Sequence, residues 1–92
     1  MTRIQRKIIK ELKALNSDTI VYKVEDLGYL PDIFYHWIEV DGHDVSGSFP
    51  KDFSAEDLHV LEEKGFIEKI DYWKDANCDD ERTTYKIHLT KL

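Results

Sequence analysis

Cysteine and proline are scarce in this sequence: Cys78 is the one thiol, and there are two prolines and four glycines in 92 residues. A single cysteine closes no internal disulfide, so the fold must be held by its core. No Pro-, Gly- or Ser-rich tract and no repeat marks a linker, which predicts one domain over residues 1–92. No apolar run approaches the roughly 20 residues a membrane span needs. The charged start, Met1-Thr-Arg-Ile-Gln-Arg-Lys7, lacks the apolar stretch of a signal peptide. A soluble cytoplasmic protein with no membrane partner is the expectation. A glycine-rich phosphate loop is missing too, since Asp41-Gly42 and Ser46-Gly-Ser48 are too sparse to cradle a nucleotide.

What is present is a globular composition, 41% hydrophobic and 35% charged. A chain of this size buries roughly 65% of its unfolded surface, enough for a core without staples. The net charge of −6 is unevenly spread. Residues 1–16 hold Arg3, Arg6, Lys7, Lys10 and Lys13 against Glu11 alone, a balance of +4, while the rest holds 8 basic and 18 acidic groups, a balance of −10. The sequence thus describes a basic segment attached to an acidic body. Phosphate binding draws its affinity from cations that release counterions, so most of this surface repels DNA and the first segment is the exception.

Taken in order, Ile4, Ile8, Leu12 and Leu15, widened by Ile9, fall on one helical face over Thr2–Leu15, with the five cations in a stripe beside them. Such a stripe is a nucleic-acid footprint or simply the charged outer face of a docked helix. Asn16-Ser-Asp18 are turn formers that end it. Thr19-Ile-Val-Tyr-Lys-Val24 reads as a strand. Residues 31–40 admit two readings. Pro31 at a first helical position, with Ile33, Phe34, Trp37 and Ile38 spaced for one face, predicts a helix. The run Ile33-Phe-Tyr-His-Trp-Ile-Glu-Val40, with Asp41-Gly42 after it, predicts a hairpin that pairs Val40 with His43 and Ile38 with Val45.

Ser54-Ala-Glu-Asp57 is a capping signature, Leu58 and Leu61 give the helix behind it an apolar stripe, and Gly65 supplies its stop. Phe66–Trp73 then reads as a strand, Lys74–Glu81 as an acidic loop, and Thr83, Tyr85, Ile87 and Leu89 alternate as the inner face of a last strand.

The pattern Asp57-Leu-His-Val-Leu-Glu-Glu-Lys-Gly-Phe-Ile-Glu-Lys69, a polar loop, and Arg82-Thr-Thr-Tyr-Lys-Ile-His-Leu-Thr90 resembles the winged helix-turn-helix domains of bacterial transcription regulators, mainly over residues 54–92. The resemblance implies an α+β winged-helix-like fold: a first helix at residues 3–15, a recognition helix at Ser54–Lys64 and a wing with its tip at Lys74–Glu81. It implies double-stranded DNA as partner and admits a homodimer. A recognition helix needs basic or amide side chains on its outer face, whereas this one offers Glu56, Asp57, His59, Glu62 and Glu63. The contacts are therefore expected from Arg3, Arg6, Lys7, Lys10 and Lys13, helped by Lys51, Lys64 and Arg82. The alternative is an acidic protein-interaction module that uses the scaffold without binding DNA. It presents Glu62, Glu63, Asp79 and Asp80, with Tyr35, Trp37 and Trp73 as aromatic anchors, to a basic protein partner.

No catalytic constellation is predicted. Asp41, His43 and Asp44 are close enough to ligate a metal, but no second ligand cluster completes a site, and a solvated turn is the simpler reading. Cys78 beside Asp79 and Asp80 sits in an anionic loop that disfavours a thiolate. The expectation is a non-enzyme with no cofactor and no metal.

Overall fold

The computed structural model describes residues 1–15, 17–26, 34–76 and 80–88, with Asp26 and Phe34 described in their backbone only. Its elements run α1 (Arg3–Ala14), β1 (Thr19–Asp26), β2 (Phe34–Val40), β3 (His43–Asp44), a short 3-10 turn (Ser46–Ser48), α2 (Ala55–Glu63), β4 (Ile67–Lys74) and β5 (Glu81–Ile87). The five strands form one antiparallel sheet in the order β3-β2-β1-β5-β4. The fold is α+β, with two α-helices among the described residues.

Both helices begin at reciprocal caps. At α1 the Thr2 hydroxyl accepts from the Gln5 amide at 3.1 Å while the Thr2 amide donates to Gln5 Oε1 at 3.1 Å. At α2 the Ser54 amide donates to Asp57 Oδ2 at 2.9 Å. The two caps are joined, because Gln5 Nε2 donates to Asp57 Oδ1 at 3.2 Å. Gln5 is buried, so its amide needs partners. Gly65, at φ +81°, ends α2 as its position predicts.

The helical reading of residues 31–40 is overturned over Phe34–Val40, which are strand β2, while Pro31–Ile33 lie outside the described residues. The physical reason is the Asp41-Gly42 turn: both residues have positive φ, +52° and +81°, the geometry whose twist matches a hairpin. Val40 pairs with His43, and the Val45 amide donates to the Ile38 carbonyl at 2.9 Å, the expected register.

The core lies between the helices and one face of the sheet. Ile8 and Leu12 of α1 and Leu58 and Leu61 of α2 are fully buried against Ile20, Tyr22, Ile38, Ile67, Tyr85 and Ile87, with Phe49 and Phe53 closing one end. In β5, Thr83, Tyr85 and Ile87 point inward as the alternation predicts, while Leu89 lies outside the described residues. The chain's aromatic residues divide: Tyr22, Phe49, Phe53 and Tyr85 are core, whereas Tyr35, Tyr72 and Trp73 are exposed. Burial pushes the Tyr22 phenol up to about 12, and Tyr85 and Glu81 nearby add to the shift. Its hydroxyl meets His36 Nδ1 at 3.0 Å.

Candidate functional site

Two surfaces carry chemistry. The first is the outer face of α1. Its apolar side packs on the sheet, which turns Arg3, Arg6, Lys7, Lys10 and Lys13 to solvent, all exposed. Among the described residues none of the five meets a carboxylate. Arg3–Arg6, Arg3–Lys7, Arg6–Lys10, Lys7–Lys10 and Lys10–Lys13 are all three or four residues apart, and such like-charge neighbours destabilise a helix by roughly 0.2–0.5 kcal/mol each. No acidic residue stands in the first turn, so Arg3 and Arg6 also oppose the positive end of the helix dipole. The stripe spans ten residue steps, about 15 Å at 1.5 Å per residue. Lys7 and Lys10 line a groove of about 330 Å³ with Glu11, Ser48, Phe49 and Pro50, and Lys51 follows Pro50 in the chain.

The second surface is the sheet face away from the helices. The ladder register sets Trp37 opposite Lys23, Lys23 opposite Arg82, and Arg82 opposite Trp73. One row across four strands therefore reads Trp-Lys-Arg-Trp. Like charges directly opposite on adjacent strands repel, and here each cation is drawn outward. Lys23 Nζ lies 3.1 Å from Glu39 Oε2, and the Arg82 guanidinium stands over the Trp73 ring at 5.3 Å. The Trp37 indole N–H donates to the same Glu39 oxygen. That indole N–H first, and the Lys23 ammonium after it, hold Glu39 below the ordinary carboxylate range. Between the cations lies a groove of about 210 Å³, lined by both indoles, both cations, Val24, Glu25, Asp80 and Glu81. Tyr35, at 59% exposure, sits opposite Glu25 one row along.

The residues expected to bind DNA are thus divided. Five share the α1 stripe, Lys51 is exposed and follows Pro50 of its groove in the chain, and Lys64 stands at the C-terminal end of α2. Arg82 is on the other face of the sheet, where its guanidinium stands over Trp73. The alternative set divides as well. Trp37, Trp73 and Asp80 line one groove with Tyr35 near it, Glu62 and Glu63 face His59 on α2 at 3.9 and 3.0 Å, and Asp79 lies outside the described residues, as does Cys78. Asp44 accepts from the Ser46 amide at 2.8 Å, which with the Ser46 hydroxyl lowers its pKa. It serves the turn after β3.

Two features escaped the sequence reading. The Thr2/Gln5 cap was legible as a Thr-x-x-Gln spacing before an apolar run. The juxtaposition of Lys23 with Trp37 and Arg82 had no local signal, since it depends on pairing between strands far apart in the chain. Among the described residues no helix is long and apolar enough to cross a membrane, and no three His, Cys, Asp or Glu side chains gather as a metal site requires. No protein-family model matches the chain, nor does any curated protein or solved structure, and its chemistry is read from these two surfaces alone.

Proposed function

We propose that the protein is a non-catalytic, winged-helix-type nucleic-acid-binding domain of the regulator kind, which grips the phosphate backbone of double-stranded DNA through α1. One observation carries the reading: five exposed cations share one side of a twelve-residue helix, unpaired among the described residues, in a chain of net charge −6. An acidic chain has carboxylates to spare, and a helix face that existed only to be solvated would be stabilised by interleaving them. Here one carboxylate, Glu11, stands four residues after Lys7 without an ion pair among the described residues, the other repulsions stand, and a ladder of phosphates relieves them. A stripe of about 15 Å covers roughly four phosphate spacings of one strand at 3.4 Å of axis per charge, and so about five phosphates. The acidic body does not forbid contact, since charges more than about 8 Å from the phosphates are largely screened at physiological salt.

The order of elements supports the winged-helix part of the reading, with α1 and β1 first and then α2 followed by the β4–β5 hairpin as a wing. The β2–β3 hairpin occupies the stretch in which the family has its second helix. The outer side of α2, with Glu56, Glu62 and Glu63, does not suit a major groove. Binding is accordingly through the backbone, with little choice of sequence.

Fluorescence anisotropy with labelled duplex DNA of mixed sequence tests this. Binding at about 50 mM salt should weaken with a log–log slope near −4.5, the value for five phosphate contacts. Lys7→Glu/Lys10→Glu should abolish it. No binding by the wild type at tens of micromolar, or a slope near zero, refutes the reading.

A further inference from the structure

We infer that the open face of the sheet is a second, separate binding site, which takes a short cationic amphipathic segment of a partner protein across the Trp37-Lys23-Arg82-Trp73 row. The two indoles are the chain's only tryptophans, and both stand on this one face, Trp73 at 45% exposure. A core gains nothing from them there. Rigid aromatic side chains on an open surface are what protein interfaces use as anchors.

The size of the surface sets the size of the occupant. From Trp37 on β2 to Trp73 on β4 is three interstrand steps, about 14 Å, and the rows from Glu39 to Glu25 cover about as much along the strands. A patch of that size falls well below the roughly 800 Å² that each partner commits to a standard interface, and it matches one helix or one or two strands. A single helix, about 10 Å across, lies between the indoles with apolar side chains on each.

Charge decides what the occupant is. The face carries Glu25, Glu39, Asp44, Glu68 and Asp71 against Lys23, Arg82 and Lys86, with Glu68 held by His88 at 2.9 Å, which leaves Glu25 and Asp71 as the rim carboxylates nearest the indoles. Its most central cation, Lys23, is already held by Glu39 at 3.1 Å. Arg82 covers Trp73 at 5.3 Å, so a guanidinium of the chain itself occupies the ring face that a partner's cation would take. A nucleic acid strand would bring phosphates against the carboxylate rows that flank the indoles on both sides. A cationic segment finds the opposite, acidic rims for its cations and, on Trp37 and the uncovered part of Trp73, apolar surface for its hydrophobic side chains.

The test uses the intact chain and its own tryptophan emission, which reports this face alone. A short synthetic leucine–lysine amphipathic peptide should shift the emission and bind in the micromolar range. Its leucine–glutamate counterpart and oligothymidylate should do neither. By calorimetry, Trp73→Ala and Glu25→Lys, both at exposed positions, should each weaken the peptide at least tenfold, Arg82→Gln should leave it as tight or tighter, and Glu62→Gln/Glu63→Gln on α2 should change nothing. Circular dichroism verifies that each variant is folded. The inference is overturned by silence of the emission up to about 1 mM peptide, by an equal response to the acidic peptide or to oligothymidylate, or by affinity that survives Trp73→Ala and Glu25→Lys but falls with the α2 pair. None of these outcomes touches the DNA titration, whose variants lie on α1.

Discussion

If α1 keeps its cations for a ligand, replacing them should make the protein more stable and less able to bind. The informative perturbation is Arg3→Glu/Arg6→Glu. A glutamate at position 3 would face Lys7 at four residues, and a glutamate at position 6 would face Lys10 at four. Repulsions of roughly 0.2–0.5 kcal/mol each at 3–7 and 6–10 become attractions of similar size, a gain of roughly 1–2 kcal/mol, while the new acidic pair at 3–6 replaces an equal basic repulsion. Acidic groups in the first turn also turn an unfavourable dipole contact into a favourable one, typically about 0.3–1 kcal/mol each at low salt. Side-chain freedom and screening at these exposed positions reduce the sum, and about 1–2 kcal/mol is expected. For a domain of this size that is a rise in Tm of about 4–16 °C. Thermal melts followed by circular dichroism at low salt read the gain, and it should shrink towards zero near 1 M salt, where the screening length is about 3 Å. The same variant should lose DNA in the anisotropy assay. A Tm that stays level or falls at low salt would show that the wild-type cations are already compensated, and the case for a stripe held ready for phosphates would fail.

Gln5→Ala removes half of the α1 cap and the link to Asp57, and should cost about 1–2 kcal/mol in urea unfolding at unchanged m-value. Gly42→Ala should cost about 1 kcal/mol through backbone strain at φ +81° alone, because an added Cβ meets nothing within 4 Å. Glu39 has a folded pKa below its ordinary value of 4.5, so its stabilising contribution is present above that value and is lost as pH falls through the folded one; Glu39→Gln should flatten the acid limb of stability against pH. Tyr22 has the opposite sense. Its folded pKa of about 12 exceeds the ordinary 10.0, so its contribution is full below pH 10 and is lost as pH rises towards 12, and Tyr22→Phe should move the alkaline unfolding midpoint upward.

Much of the frame is legible because it is local. Ser54 to Gly65 states a helix with both its ends, and Thr83, Tyr85 and Ile87 state which side of β5 faces in. Residues 34–40 satisfy both periods because aromatic and β-branched residues are so dense there, and the turn after them decides between strand and helix. The candidate surfaces differ in the same way. The α1 stripe follows from spacing within one helix. The Trp37-Lys23-Arg82-Trp73 row does not, because β1 pairs with β2 on one side and with β5, some sixty residues away in sequence, on the other. Arg82 read alone is a basic residue near a wing, and only the register makes it the neighbour of Lys23 and the cover of Trp73.

That register also separates the two surfaces in space. The buried side chains of α1 and α2 pack on one face of the sheet, while the tryptophan row stands on the other. A ligand on α1 and a segment on the sheet would therefore not compete for room. The cations thus lie on one side of the sheet and the aromatic, acid-rimmed face on the other. Electrostatics ties the two ends together weakly, and in a definite direction. Phosphates on α1 would cancel positive charge and leave the sheet face more negative in its net field, which favours a cationic segment. By reciprocity the bound segment favours the anion by the same factor. With the sheet and the body of α1 between them and a screening length of about 8 Å, that coupling must be small at physiological salt and should appear only when salt is lowered. Lys7→Glu/Lys10→Glu, which removes the net positive charge of α1 without adding a free polyanion that would itself take up the cationic peptide, should accordingly tighten the leucine–lysine peptide at about 10 mM salt, where the screening length is about 30 Å, and leave it unchanged at about 150 mM. A strong effect that persists at the higher salt would mean that the peptide touches α1, and the picture of two opposed faces would have to be given up.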